Sequence, residues 1–129
     1  MTPTESKALE DSVRYLLTIG ELDAALSLAE EGAKDSGVLE LWALWGVASA
    51  RRGLGKQAIE ALTYVIVREP YDARYWTYLA EAQLELLDHE GASTSLERAC
   101  ELDPEAKDAF GKRSRALIAR TRKELKAKG

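Results

Sequence analysis

The chain has 129 residues, of which 46% are hydrophobic and 31% charged, and its net charge is −4. This length fits a single domain and leaves no room for a separate catalytic domain beside a core. Its one cysteine, Cys100, excludes an internal disulfide and a thiolate metal cluster. Residues 1–11 are polar where a secretory signal needs an apolar core, and no apolar run approaches the roughly 20 residues that span a bilayer. We therefore expect a cytoplasmic protein without a cofactor.

The chain is rich in good helix formers, and its helix boundaries are marked in order along the sequence. Thr2-Pro3-Thr4-Glu5 has the form of a capping box with proline at the first helical position, and Asp103-Pro104 offers a similar start near the end. Gly20, the pair Gly53 and Gly55, and the dipeptide Asp88-His89 interrupt the apolar pattern. The sequence predicts seven helices, near residues 4–18, 22–35, 39–52, 56–69, 73–87, 90–102 and 105–126.

The central part of the chain repeats itself at the constant offset that takes Trp42 to Trp76. At this offset the other matching pairs are Ala48 and Ala82, Ala58 and Ala92, Leu62 and Leu96, and Pro70 and Pro104. These pairs stand where two packed helices need a large aromatic, a small residue at a close crossing, or a helix stop. Within each unit, apolar residues recur at the spacing that lines one face of a helix.

The same offset extends the repeat in both directions. Carried backwards, it aligns Ala24 with Ala58, although Ala8 stands where the tryptophan should be, so the first unit is degenerate. Carried forwards, it puts Phe110 at the tryptophan position of a segment that has no second helix after it. We expect that segment to be a capping helix.

These residues resemble the tetratricopeptide repeat (TPR) family. Residues 39–72 match its pattern as Trp42, Trp45, Gly46, Ala58, Leu62, Val65 and Pro70, and residues 73–106 as Trp76, Leu79, Ala80, Ala92, Leu96, Ala99 and Pro104. The resemblance implies an all-α fold, a right-handed α-solenoid of three helical hairpins plus a C-terminal capping helix. The expected single domain covers 1–129, with repeats near 5–38, 39–72 and 73–104 and a cap near 105–127.

The resemblance also implies a binding groove, because the first helices of TPR units line a concave surface. The family's groove positions, with one neighbouring tyrosine, fall here on Leu9, Val13, Leu16, Glu40, Ala43, Val47, Ala50, Arg51, Arg74, Thr77, Tyr78, Glu81 and Leu84. The alternative is that some groove positions, such as Leu16 and its neighbour Leu17 in the degenerate first unit, or Val47, are core. The carboxylate clamp of chaperone-binding members does not fit, because Leu9, Val13 and Val47 replace its polar residues and only Arg74 is retained.

Three functions are compatible with this groove. The first is a protein–protein interaction module that binds a peptide or amphipathic segment of a partner. The second is a chaperone for a hydrophobic secreted subunit, since Tyr78-Leu79-Ala80-Glu81-Ala82 is similar to the TPR-type chaperones of type III secretion translocators. The third is a self-assembling adaptor that uses the basic C-terminal helix, because residues 105–129 carry nine Lys or Arg and three acids. No aromatic follows Phe110, which disfavours nucleic acid.

Catalytic residues are not recognisable in the sequence. His89 is the only histidine, and we expect it in a solvated turn beside Asp88 without a nucleophile at a useful spacing. Cys100 follows Ala99 on a predicted helix, where a buried structural thiol is expected. Gly53 and Gly55 lack the lysine-and-serine ending of a phosphate-binding loop. We therefore expect a protein that is not an enzyme.

Overall fold

A computed structural model describes residues 1–105 and the isolated positions 116, 119, 120 and 123. Residues 1–105 form only α-helices: α1 (Pro3–Thr18), α2 (Leu22–Ser36), α3 (Leu39–Arg51), α4 (Gly55–Arg68), α5 (Ala73–Glu85) and α6 (His89–Leu102). These confirm six of the seven predicted helices, each end within two residues of its predicted place. The predicted seventh helix falls outside the described residues apart from those four positions, and so do Phe110 and most of the basic residues of that C-terminal segment.

The helices form three hairpins, which stack side by side. Each helix packs against the next one in the chain, and α3 also packs against both α1 and α5. The first helices of the three hairpins are therefore neighbours in one layer, and α2, α4 and α6 form the other. This is the predicted all-α solenoid of TPR-like hairpins.

Small residues set the distance between the two helices of each hairpin. Ala25, Ala58 and Ala92 are completely buried on α2, α4 and α6. On α3, Gly46 faces Leu62 so closely that a Cβ atom at Gly46 would lie 2.6 Å from the Leu62 Cγ. The absence of a side chain thus lets the two helices approach each other.

The predicted alignment of the first unit is wrong by one residue. Ala24, which the offset of the central repeat pairs with Ala58, is exposed, whereas Ala25 is completely buried. The spacing from the start of α2 at Leu22 to the start of α4 at Gly55 is one residue shorter than the spacing from Gly55 to the start of α6 at His89. The connection from α2 to α3 consists of residues 37–38, whereas residues 69–72 connect α4 to α5, so the first connection is two residues shorter. Because α2 is one residue longer than α4, the net difference in spacing is one residue.

The start of the chain agrees with the predicted cap. Thr2 precedes α1, its Oγ1 accepts a hydrogen bond from the Glu5 backbone N–H at 3.1 Å, and Pro3 is the first helical residue. This bond satisfies one of the backbone donors that have no partner within a helix. The side-chain cap therefore fixes where α1 begins.

An aromatic stack joins the two helices of the second hairpin. The rings of Trp42 and Tyr64 lie with their centroids 4.2 Å apart at an interplanar angle of 25°. The Arg68 guanidinium covers the Tyr64 ring at 3.4 Å from its centroid. The tryptophan of the repeat pattern thus packs between hairpin helices, as the family resemblance implies.

His89 and Cys100 do not lie where the sequence analysis expects them. His89 is the first residue of α6, because Asp88 caps this helix by accepting a hydrogen bond from the Gly91 backbone N–H at 3.0 Å, and His89 is buried. Cys100 is only half-buried. Over the described part of the chain, no group of three or more His, Cys, Asp or Glu is arranged to hold a metal ion. None of the described helices combines the length and apolar character that crossing a membrane requires.

Candidate peptide-binding groove

A pocket of about 230 Å³ opens on the layer formed by the first helices of the three hairpins. Its walls come from α1, α3 and α5, and its lining residues are Arg14, Leu17, Thr18, Leu44, Val47, Arg51 and Tyr78. Leucine, valine and tyrosine side chains form the apolar part, while two arginines and a threonine supply the polar part. This volume can take one large apolar side chain of a bound segment.

The corrected spacing of the first unit explains which α1 residues reach this pocket. An offset one residue shorter than that of the central repeat places Arg14 at the level of Val47 and Thr18 at the level of Arg51, and all four line the pocket. The offset of the central repeat instead nominates Val13, which is completely buried. The structure therefore brings together Leu17, Val47, Arg51 and Tyr78, which the sequence predicts for the groove. It adds Arg14 and Thr18 of α1 and Leu44 of α3, which the family's groove positions do not include.

Several predicted groove residues lie in the core. Val13, Ala43 and Thr77 have no exposed surface, and Ala50 and Leu84 are at most 8% exposed, whereas Val47 lines the pocket with only 4% of its surface exposed. Leu16, Glu81 and Arg74 are half-buried, and Arg51 is exposed. Leu9 lies against α2, where a Cβ atom at Gly32 would meet its side chain, and it lines a different cavity between α1 and α2.

Glu40 joins the first helices of all three hairpins through one carboxylate. Arg14 Nη2 on α1 donates to Glu40 Oε1 at 2.7 Å, and Tyr75 Oη on α5 donates to Glu40 Oε2 at 2.7 Å. Arg74 on α5 donates to both oxygens at 3.2 Å. The Glu40 side chain is only 13% exposed, so these bonds form in a partly desolvated place where they are stronger than on the surface.

Arg74 is also held by its own helix cap. Asp72 precedes α5, and its two carboxylate oxygens accept hydrogen bonds from the Arg74 side chain at 3.1 and 2.7 Å. The one clamp residue that the sequence retains is thus bound to Asp72 and Glu40.

The network changes the acid–base properties of its members. Burial, followed by the hydrogen bond to Glu40, raises the pKa of Tyr75 above the ordinary value for tyrosine. Burial is also the main cause that raises the pKa of Tyr78, and the Glu40 charge adds to it. The hydrogen bond to Asp72 is the largest cause that raises the pKa of Arg74, with a further contribution from Glu40. Both tyrosines therefore keep their protons at neutral pH.

Comparison with known proteins identifies the fold. No protein-family model matches the sequence, and no curated protein matches it either. Among solved structures, the first TPR domain of human RPAP3 superimposes with a TM-score of 0.83 at 17% identity, covering 98% of this chain and 97% of that one. The fold is therefore that of TPR domains.

Two further solved structures, of PcrH and SycD, show the same architecture. PcrH from Pseudomonas aeruginosa gives a TM-score of 0.79 at 20% identity over 94% of both chains. The Yersinia enterocolitica type III secretion chaperone SycD, in complex with a peptide of the translocator YopD, gives 0.77 at 17% identity, covering 96% of this chain and 97% of that one. The chain therefore resembles both general TPR domains and translocator chaperones.

Proposed function

We propose that this protein binds a peptide segment of a partner protein in the pocket formed by α1, α3 and α5. The observation that carries the proposal is the pocket itself, which has an apolar floor of Leu17, Leu44 and Val47 and stays open between three first helices. An apolar anchor of the bound segment enters the pocket, while Arg14 and Arg51 contact its polar neighbours. Anchors in such pockets supply most of the affinity of a peptide interface.

The solved relatives of this fold support the proposal. SycD holds a peptide of YopD, and PcrH is seen with the chaperone binding region of PopB. These complexes favour the narrower hypothesis that the present chain is a chaperone for a hydrophobic secreted subunit. The proposal also includes that the protein is cytoplasmic and not an enzyme, and that a capping helix near 105–127 closes its three repeats.

Thr18 offers the cleanest test of the pocket. It is exposed at the pocket wall, and its Oγ1 donates to the Arg14 carbonyl oxygen at 2.8 Å. Thr94 on α6 is an exposed matched control, because its Oγ1 donates to the Glu90 carbonyl oxygen at 3.1 Å. Glutamate at Val47 would be less informative, since that residue is 4% exposed and a buried charge would destabilise the fold.

The experiment selects binding peptides from a displayed library of short random sequences with the wild-type protein. The selected peptides, the YopD peptide and the PopB chaperone binding region are then titrated against Thr18→Trp and Thr94→Trp by fluorescence anisotropy. We expect Thr18→Trp to weaken binding at least about tenfold by filling the pocket, and Thr94→Trp to leave it unchanged. The proposal fails if no peptide is enriched, or if both variants bind like the wild type.

A further inference from the structure

The three turns inside the hairpins share one backbone geometry. After α1, α3 and α5, a Schellman motif closes the helix with two hydrogen bonds, such as Leu54 N–H to Ser49 O at 2.8 Å and Gly53 N–H to Ala50 O at 3.1 Å. The same pair of bonds forms after α1 and after α5. This motif requires a left-handed residue at its centre, a position that glycine normally occupies.

Leu87 breaks this rule at the third turn. Gly20 and Gly53 occupy the left-handed position of the first two turns with φ of 81° and 84°, whereas Leu87 adopts φ of 59°. It is the only non-glycine residue with positive φ among the described residues. Its side chain is 70% exposed, so packing within the chain does not compensate for the strained backbone.

An apolar cleft lies beside this exposed leucine. The cleft has a volume of about 480 Å³ and lies between the second and third turns, where its apolar walls are Leu54 and Leu86. Gly55 lets Leu86 pack closely against the start of α4, since a Cβ atom at Gly55 would lie 2.8 Å from the Leu86 Cγ. Leu54 and Leu86 are themselves 38% and 44% exposed. A projecting apolar side chain and a recess of suitable size thus stand next to each other on one edge of the protein.

Opposite charges flank the two features. Lys56 lines the cleft, while Asp88 and Glu90 follow the projecting Leu87, and all three residues are exposed. A two-fold axis through this edge would place Leu87 of one copy over the cleft of the other, and Lys56 near the acids of its partner. Such a self-complementary patch is what an isologous dimer requires.

We propose that this turn edge, made of Leu54, Lys56, Leu86, Leu87 and Glu90, is a dimerisation surface for a second copy of the chain. The patch is small, so the dimer is weak and reversible. The exposed side chain of the strained leucine fills the cleft of the partner. This surface is separate from the pocket residues, and the inference stands whether or not the groove binds a peptide.

Sedimentation equilibrium of the full chain between about 10 µM and about 1 mM tests the proposal. We expect the wild type to form a dimer within this range and Leu87→Gly to stay monomeric while its thermal midpoint rises. That combination separates the two roles, because a leucine needed for folding would lose stability when replaced. Val67→Ser, at a 72% exposed position on α4, is the control and should dimerise like the wild type.

Charge reversal identifies the partner surface. Lys56→Glu and Glu90→Lys should each weaken the dimer about tenfold, and the double variant should restore it. A wild type that stays monomeric at about 1 mM overturns the proposal. The proposal is also overturned if Leu87→Gly still dimerises, if the Val67→Ser control does not dimerise, or if the Lys56→Glu and Glu90→Lys double variant fails to restore the dimer. In each case association would involve another surface or another partner.

Discussion

Removing the charge of Glu40 should destabilise the whole stack, because this carboxylate links α1, α3 and α5. Glu40→Gln keeps the size of the side chain but replaces one acceptor oxygen with an amide and removes the ion pairs with Arg14 and Arg74. Hydrogen bonds to charged groups contribute about 1.5–3 kcal/mol, and breaking a fully buried pair costs about 3–5 kcal/mol. The arginine side chains are 38% and 32% exposed, so water replaces part of the loss.

We therefore expect Glu40→Gln to lower the free energy of unfolding by about 2 kcal/mol. Urea denaturation followed by far-ultraviolet circular dichroism measures this loss. Glu10→Gln is the matched control, because Glu10 meets the same Arg14 only at 3.8 Å and on the same helix. Its loss should stay below about 0.5 kcal/mol. Equal losses in the two variants, or no loss for Glu40→Gln, would refute the reasoning.

Three further changes test the packing and the backbone. Gly46→Ala should cost about 1–2 kcal/mol in urea denaturation, because overpacking against Leu62 exceeds the gain in helix propensity; a more stable variant would contradict this. The free energy of unfolding should be constant in mildly alkaline solution and fall above a pH of about 10, by up to about 1.4 kcal/mol per pH unit for each of Tyr75 and Tyr78. The reason is that both pKa values are raised in the folded state, so the folded protein keeps protons that the unfolded chain releases. Denaturation at several pH values measures the slope, and a flat profile would show that neither pKa is raised. Leu87→Gly should gain about 0.5–1 kcal/mol by relieving the left-handed strain, and a loss in the same assay would show that the side chain packs.

The helices and their pairing could be predicted because their signals are local. Thr2 and Pro3 fix the start of α1, and Gly20 and Gly53 mark the first two turns. The identities between the central units, such as Trp42 with Trp76, then indicate hairpins of one kind. Residues at helix ends and in turns therefore determine most of the helix boundaries.

The groove was harder to predict because one residue of spacing decides which face of a helix is inward. Ala24 and Ala25 are both small, so the sequence offers no way to tell which of them meets the neighbouring helix. The burial of Ala25 and the helix starts in the structure establish the shorter offset of the first unit, which places Arg14 at the pocket. A shift of one residue turns a helix face by about 100°, so the offset of the central repeat points to Val13 where the structure has Arg14.

Two features of the structure have a signal in the sequence, which appears when equivalent positions of the units are compared. Glu40 and Arg74 occupy equivalent positions in adjacent units and carry opposite charges, which in stacked helices predicts their contact. Leu87 stands at the position of the third unit that corresponds to Gly53 in the second, so the repeat itself points to a leucine where a turn needs glycine. Both signals come from comparing units with each other and not from any single motif.

The unequal spacing of the units has a consequence for protein engineering. Excision of 22–54 would join Glu21 directly to Gly55 and remove everything from the start of α2 to the residue before α4. Each remaining helix of α1, α4, α5 and α6 would keep the same face toward the core, so the two hairpins that remain would present matching surfaces to each other. An excision one residue longer, which the spacing of the central units would suggest, would rotate the helices after the junction relative to α1 and expose their apolar faces.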